Sequence, residues 1–196
     1  MKIIHISGKA RHGKDTLAMM LRNHLEARGK KVLIVHYADN LKYMARNFAG
    51  WNGEKDEAGR RLLQKLGTDV IRKNFPEYWV EMLRFQLDAL ADYCGWDFVL
   101  IPDTRFPNEL EFGDYDHLHI RIERPDFDNG LSKEAKNHAS ETALDDVLPD
   151  ILVENGGTLR DLYSLAERLA VRLTPPVGDS LAGGAAFFIN TKLWEE

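Results

Sequence analysis

"ISGKARHGKDT", residues 6–16, decides how the chain is read. Gly8, four residues, Gly13 and Lys14 have the spacing of a loop that cradles phosphate. In such a loop the glycines permit a tight backbone path, the next helix aims its N-terminal N–H groups and positive dipole end at the anion, and the lysine adds a mobile cation. The stretch follows an apolar run, "KIIHIS" (2–7), and precedes Leu17, Met20, Leu21 and Leu25 at helical spacing. That strand-loop-helix setting is the one the loop requires. One letter departs from the general pattern: the position after the lysine holds Asp15 where Ser or Thr would reach a magnesium ion.

Two readings of Asp15 stand side by side. A carboxylate beside a polyphosphate is repelled unless a metal ion lies between them, directly or through water. Alternatively, Asp15 only complements the positive end of the helix, an effect of ~0.3 to 1 kcal/mol. Thr16 offers a hydroxyl to a phosphate in either case, and Lys9, Arg11 and His12 complete the loop. Arg11 and His12 read equally well as solvated loop residues.

Outward from the loop, short apolar runs alternate with longer helical stretches. "KVLIVHY" (31–37), "DFVLIPD" (97–103), "HLHIRIE" (117–123) and "DILVEN" (150–155) join the first run as five expected strands. Such alternation implies β-α-β crossovers and a parallel sheet covered on both faces. The fold class is therefore α/β. "EAGRRLLQKLGTDVIRKNF" (57–75) and "YWVEMLRFQLDALADYC" (78–94) are two expected helices around Pro76, forming a helical insertion over about 50–95 suited to substrate recognition. A last amphipathic helix is expected over about 157–173. From Pro175 prolines and glycines accumulate around the pair Phe187 and Phe188, and 175–196 reads as a linker and tail without chemistry.

The composition narrows the function classes. At 196 residues, 44% hydrophobic and 29% charged, the chain has the mix of an ordinary globular domain. A net charge of -5 argues against a surface built to neutralise a nucleic-acid backbone. A single cysteine, Cys94, forms no disulfide framework. No apolar run approaches the ~20 residues of a membrane span, so the expected location is cytoplasmic.

Three further groups of residues could serve a phosphate site. Asp103 stands at the expected carboxyl end of a buried strand, where a carboxylate holds magnesium or its waters, and Arg105 presents a planar fork to a phosphate. The bland alternative is that Asp103 caps the next helix while Arg105 pairs with Glu109 or Glu111. On the insertion, Arg61, Lys65 and Arg72 fall on one face of a helix that also carries Arg60, Gln64, Gly67 and Thr68. Arg124, Lys133, Lys136 and His138 flank a charged loop, about 125–140, with the character of a short lid; His138 reads as a structural residue.

Taken together, "GKARHGKDT" (8–16), "YADNLK" (37–42), "LLQKLGTDVIR" (62–72), "YWV" (78–80), "PDTRFPNE" (102–109), "IRIERP" (120–125), "HASE" (138–141) and "ILVENGGTLRDL" (151–162) resemble the phage-type deoxynucleoside monophosphate kinase family of P-loop kinases. The segments occur in the family's order, and in that family the Gly-Lys-Asp-Thr ending is the norm. The resemblance implies a three-layer P-loop kinase fold with about five parallel strands in residues 1–174. It implies transfer of the ATP γ-phosphoryl group to a (deoxy)nucleoside monophosphate with Mg2+, and small nucleotides as partners, with a homodimer left open. If the chain is phage-encoded, its location is the host cytoplasm.

By position, the resemblance makes Lys14, Asp103 and Arg105 catalytic candidates and Gly8, Lys9, Arg11, His12, Gly13, Lys14, Asp15 and Thr16 the ATP phosphate loop. Asp15 and Asp103 become the magnesium candidates. Asp39, Lys42, Arg61, Gln64, Gly67, Thr68, Arg72, Trp79 and Arg105 belong to the acceptor side, and Arg124 and Lys136 to the lid or adenine side. A P-loop kinase for another small phosphorylated acceptor (phosphomevalonate or dephospho-coenzyme A type) and a nucleotide-binding regulatory protein are the competing readings.

Overall fold

A computed structural model of the chain describes residues 1–54, 56–175 and, as backbone, the strand at 187–190. The described chain divides into two compact units, Met1–Ile34 with Gly95–Glu196, and Val35–Cys94.

The first unit is a parallel sheet. Its strands are β1 (Lys2–Ser7), β2 (Val32–Ile34), β3 (Phe98–Ile101), β4 (Asp116–Glu123), β5 (Ile151–Glu154) and β6 (Phe187–Asn190). They lie in the order β2-β3-β1-β4-β5-β6, and every pairing is parallel. All five expected strands are present, though the second stops at Ile34 rather than reaching residue 37, because a capping box between His36 and Asp39 starts a helix there. The sixth strand is a correction. Phe187–Asn190 lies within the stretch assigned to the tail, yet pairs with β5 at the sheet edge. An aromatic and β-branched quartet suits a strand, and its proline- and glycine-rich surroundings concealed it. The rest of the expected tail, 176–186 and 191–196, lies outside the described residues.

Alternation along the strands separates two faces. Ile4, Ile6, Leu100, Ile120, Ile122 and Val153 pack with Leu17, Leu21 and Leu25 of α1 (Lys14–Glu26) and with Leu162, Leu165 and Leu169 of the last helix, Leu159–Leu173. This dry layer sets α1, and hence the loop before it, over the middle of the sheet. The intervening residues of β1 are polar and equally buried: His5 is 0% and Ser7 1% exposed. In register beside them on β4 stand His119 and Arg121. Ser7 Oγ and His119 Nε2 share a hydrogen bond of 2.7 Å, and the His5 ring lies 5.8 Å from that of Phe112.

The second unit follows β2 in the chain and is helical. It contains α2 (Tyr37–Phe48), α3 (Glu57–Gln64), a π-helical continuation Lys65–Arg72, and α4 (Tyr78–Cys94). Asp56 caps α3 by accepting from the Gly59 N–H at 2.7 Å. The π-helical stretch revises one expectation. With i→i+5 hydrogen bonding, residues about five apart lie over one another, so the step from Lys65 to Arg72 no longer returns to one face as it would in an α-helix. Gly67 in this stretch packs against Leu41, where an added Cβ would lie 2.7 Å from a Leu41 methyl, and its carbonyl accepts from Trp79 Nε1 at 3.0 Å.

Back in the first unit, two short helices, α5 (Lys133–Lys136) and α6 (Ala139–Thr142), lie between β4 and β5, and α7 (Leu159–Leu173) follows β5.

Burial keeps two imidazoles of the sheet neutral. It lowers His5 to about 3, with repulsion from His117 and His119 adding. His119 falls to about 4, through burial and then Arg121, with Asp150 opposing. Unfolded, both take up a proton near pH 6.5. The folded protein thus binds fewer protons than the unfolded chain below that point, and stability falls as pH drops. We expect the unfolding free energy from denaturant titrations to hold above pH 6.5 and to decline between 6.5 and about 4, by roughly 1 kcal/mol per pH unit and per imidazole. Equilibrium unfolding of His119→Gln measured across that range should show a shallower slope than the unaltered chain.

Candidate phosphate-binding site

The loop between β1 and α1 is shaped by what presses on its two ends. Gly8 has φ +142°, and an added Cβ would sit 2.2 Å from the Ile122 carbonyl oxygen of β4. Gly13, at φ +103°, lies against the Asn155 side chain, whose amide would be 2.8 Å from such a Cβ. Only glycine fits these positions. Arg11 takes the left-handed conformation between them, φ 63°. Asn155 Nδ2 also donates to the His12 carbonyl at 3.0 Å, so residues following β1, β4 and β5 together hold the loop.

Lys14 opens α1 with its side chain only 7% exposed. Its Nζ donates to the carbonyls of Gly8 (2.7 Å) and Lys9 (2.8 Å). Burial, then repulsion by Arg105, lower its pKa to about 8, against the opposing pull of Glu141, Asp15 and Asp103. One cation, a second cation and three carboxylates therefore act on one another around this ammonium. Asp15 is exposed and Asp103, just beyond β3, is half-buried.

Arg105 follows β3 at the same edge of the sheet. Its side chain pairs with Glu141, and its Nη1 also donates to the Ser140 carbonyl at 2.8 Å. Pairing with Glu109, weighed from the sequence, takes another form: that carboxylate accepts from the backbone N–H groups of Arg105 (2.6 Å) and Phe106 (3.1 Å). Lys9 Nζ donates to the Glu141 carbonyl at 2.6 Å and pairs with Asp145. Lys9, Arg105, Ser140, Glu141 and Asp145 line a cavity of about 450 Å³ together with Ser7, Gly8, His12, Thr104, Arg121, Glu123 and Arg124. Another depression, about 600 Å³, lies around Arg28, Lys30, Asp97 and Leu173. It has no part of the glycine loop in its walls.

Of the expected lid residues, Arg124 lines this cavity. Arg124 donates its backbone N–H to His12 Nδ1 at 3.1 Å and stacks its guanidinium over Phe127, 4.0 Å from the ring centre. Lys136 pairs with Asp128 at 2.7 Å. Arg11 reaches the Asn129 carbonyl at 2.7 Å. His138 caps α6, accepting from the Ser140 N–H at 3.2 Å, as its structural reading anticipated.

The acceptor-side candidates other than Arg105 belong to the helical unit and are described within it. Asp39 pairs with Lys42 (2.8 Å) and His36 (3.3 Å); the hydrogen bond from His36, then Lys42, hold its carboxyl well below the usual range. Arg61 pairs with Glu57 at 3.0 Å with both side chains exposed. Gln64, Thr68 and Arg72 are half-buried, and Arg72 Nη1 reaches the Pro76 carbonyl at 3.4 Å. Trp79 is 4% exposed and Gly67 is buried beside it.

Three residues of the site escaped the residue-by-residue reading. Glu141, Asn155 and Phe127 carry no local signal that marks them as part of the site. Nothing local marks a carboxylate as the partner of an arginine 36 positions earlier. Among the described residues, no group of three His, Cys, Asp or Glu side chains could hold a metal ion by itself. A magnesium ion is compatible with Asp15 and Asp103 because such ions take one or two carboxylates and complete their shell with phosphate oxygens and water. No helix among the described residues is long and apolar enough to cross a membrane.

The ammonium at about 8 has a measurable consequence. A bound polyphosphate stabilises the charged form, so binding above pH 8 must take up a proton. We expect ATP affinity to fall by up to tenfold per unit above pH 8, and calorimetry in buffers of different ionisation enthalpy to report proton uptake. Lys14→Ala should abolish both effects.

Comparison with known proteins adds an independent line. The model of the family described as deoxynucleotide monophosphate kinase matches residues 29–165. The deoxynucleotide monophosphate kinase of Enterobacteria phage T4 is 34% identical over 116 residues, 58% of this chain and 45% of that protein. That of Escherichia phage RB69 is 31% identical over 165 residues, 80% of this chain and 64% of that protein. The chain thus spans less than two thirds of the length of either relative. Among solved structures, the APS kinase CysC of Mycobacterium tuberculosis, in complex with AMPPNP and APS, superposes with a TM-score of 0.52 at 14% identity, covering 89% of this chain and 98% of that one. At that identity the likeness establishes the α/β kinase fold alone.

Proposed function

The chain belongs to the deoxynucleotide monophosphate kinase family, and on that premise we propose that it transfers the γ-phosphoryl group of ATP to a (deoxy)nucleoside 5′-monophosphate, yielding the diphosphate and ADP. The observation that carries the reading is the convergence, at one 450 Å³ cavity, of the glycine loop and Arg105 from neighbouring strands. Lys14 rises from the loop floor against the same two carbonyls that form it. The family match begins at residue 29, so the loop supports the reading independently of it.

Phosphoryl transfer asks little covalent work of a protein; positioning and charge neutralisation do most of it. In this reading the amides at the start of α1 and Lys14 hold the donor phosphates, while Arg105 grips the acceptor phosphate. Repulsion between Lys14 and Arg105 is relieved when anionic oxygens come between them. Asp15 and Asp103 would hold magnesium, which would supply positive charge against the negative charge that develops on the phosphates. Arg61 and Arg72, cations of the helical unit, belong to the acceptor side in this reading, and Arg124 and Lys136 to the lid or adenine side. The protein acts on free nucleotides in the cytoplasm.

Incubation of the full chain with ATP, magnesium and each nucleoside monophosphate in turn tests this. ADP and the new diphosphate should form only when a monophosphate is supplied; ADP release independent of any monophosphate would favour a regulatory ATPase and overturn the reading. Arg105→Ala should raise the acceptor KM about tenfold or more, the scale of a lost charge-assisted hydrogen bond, with ATP affinity within about threefold of the original. Asp15→Ser should keep nucleotide binding and change the relative activity with magnesium and manganese. An unchanged metal profile would return Asp15 to the role of a helix-terminus charge.

A further inference from the structure

Glu141 lies at the junction of the loop and the arginine, and its surroundings account for both of its oxygens. Oε2 accepts from the Ala10 N–H of the glycine loop at 2.8 Å. Oε1 takes the ion pair from Arg105 Nη1. The side chain is 5% exposed, so this is a carboxylate taken out of water and compensated by a guanidinium and a main-chain amide. Burial pushes its pKa up, but Arg105, the Ala10 N–H and Lys14 outweigh that and hold it below the usual value. A buried charge of this kind costs several kcal/mol unless it is paired in good geometry, and both partners here belong to the phosphate site.

The arginine is held by one edge only. Nη1 is engaged by Glu141 and by the Ser140 carbonyl. Among the described residues no hydrogen bond is made by Nε or Nη2, and the residue lines the cavity. A free guanidinium on a flexible stem would lose rotamer entropy on gripping a ligand; one already held at Nη1 has given up much of it.

We propose that Glu141 is a positioning residue for phosphoryl transfer, fixing the Arg105 guanidinium to the glycine loop so that the fork meets the acceptor phosphate at a set distance from the donor. The role rests on the reading of Arg105 as the acceptor grip. A carboxylate suits it because two donors must be met by two acceptor oxygens, whereas a carboxamide has one oxygen and would turn an NH2 towards either the Ala10 N–H or the Arg105 guanidinium. An aspartate keeps both oxygens but is one methylene shorter and cannot span the two partners.

The test is a double-mutant cycle in the full chain, with kcat, both KM values and ATP affinity measured at pH 7 and the melting temperature recorded for each variant. Glu141→Gln should raise the acceptor KM and lower kcat, reducing acceptor kcat/KM by 30-fold or more, with ATP affinity within about threefold. In the Arg105→Ala background the same substitution should change acceptor kcat/KM by less than twofold, because the group through which it acts is already gone. A role in folding alone would move the melting temperature and both substrates together, and would persist in that background. Glu141→Asp, expected to lie between, carries the cycle if the Gln variant does not fold. Turnover by the unaltered chain combined with unaltered acceptor kinetics in Glu141→Gln, or with a full further loss in the Arg105→Ala background, overturns the proposal while leaving the kinase reading intact. Absence of turnover with every monophosphate overturns both.

Discussion

The close approach of Gly8 to the Ile122 carbonyl is the constraint on which the site depends. The space a side chain would need is filled by the main chain of β4, and β4 is fixed there by its pairing with β1 over Lys2–Ser7. The loop therefore leaves the sheet at its centre, between β3 on one side and β4 on the other, with no freedom to swing away. Open parallel sheets bind ligands at the carboxyl ends of their strands. Here the ends of β1, β3 and β4 supply the loop, Arg105 and Arg124 within a few residues of one another's strands.

That placement also explains how an acidic protein keeps a cationic cleft. The chain carries a net charge of -5, yet Lys9, Lys14, Arg105, Arg121 and Arg124 collect at one end of the sheet. Carboxylates hold them there. Glu141 meets Arg105, Asp145 meets Lys9, and Glu141, Asp15 and Asp103 together keep the Lys14 ammonium from losing its proton at a still lower pH. The polar underside of the sheet continues the pattern inward, since Ser7 ends β1 at the cavity and its hydroxyl bonds to the buried His119 behind it.

What the sequence disclosed and what it withheld divide along a physical line. The strands, the loop and α1 follow from local signals: apolar runs, two glycines at fixed spacing, and leucines at helical intervals. The strand at Phe187–Asn190 did not, because four residues after a proline- and glycine-rich stretch are too short a run to stand out; their status depends on β5 being there to pair with. The face shared by Arg61, Lys65 and Arg72 was inferred from a 3.6-residue period that the π-helical stretch does not have. Within the site, Gly8, Gly13, Lys14 and Arg105 could be named from spacing and from the strands they follow. Glu141 and Asn155 could not, since each acts on residues more than 30 positions away through contacts that only the sheet order creates.

The segment from Ser140 to Val147 is held to the first unit mostly by its main chain. Arg105 takes the Ser140 carbonyl, Lys9 that of Glu141, and Arg121 those of Leu144 and Val147. Carbonyl groups are common to every residue type, so the identities of residues 140, 144 and 147 are free of this requirement, whereas the three cations are not. Glu141 and Asp145 differ, because they meet Arg105 and Lys9 through their side chains.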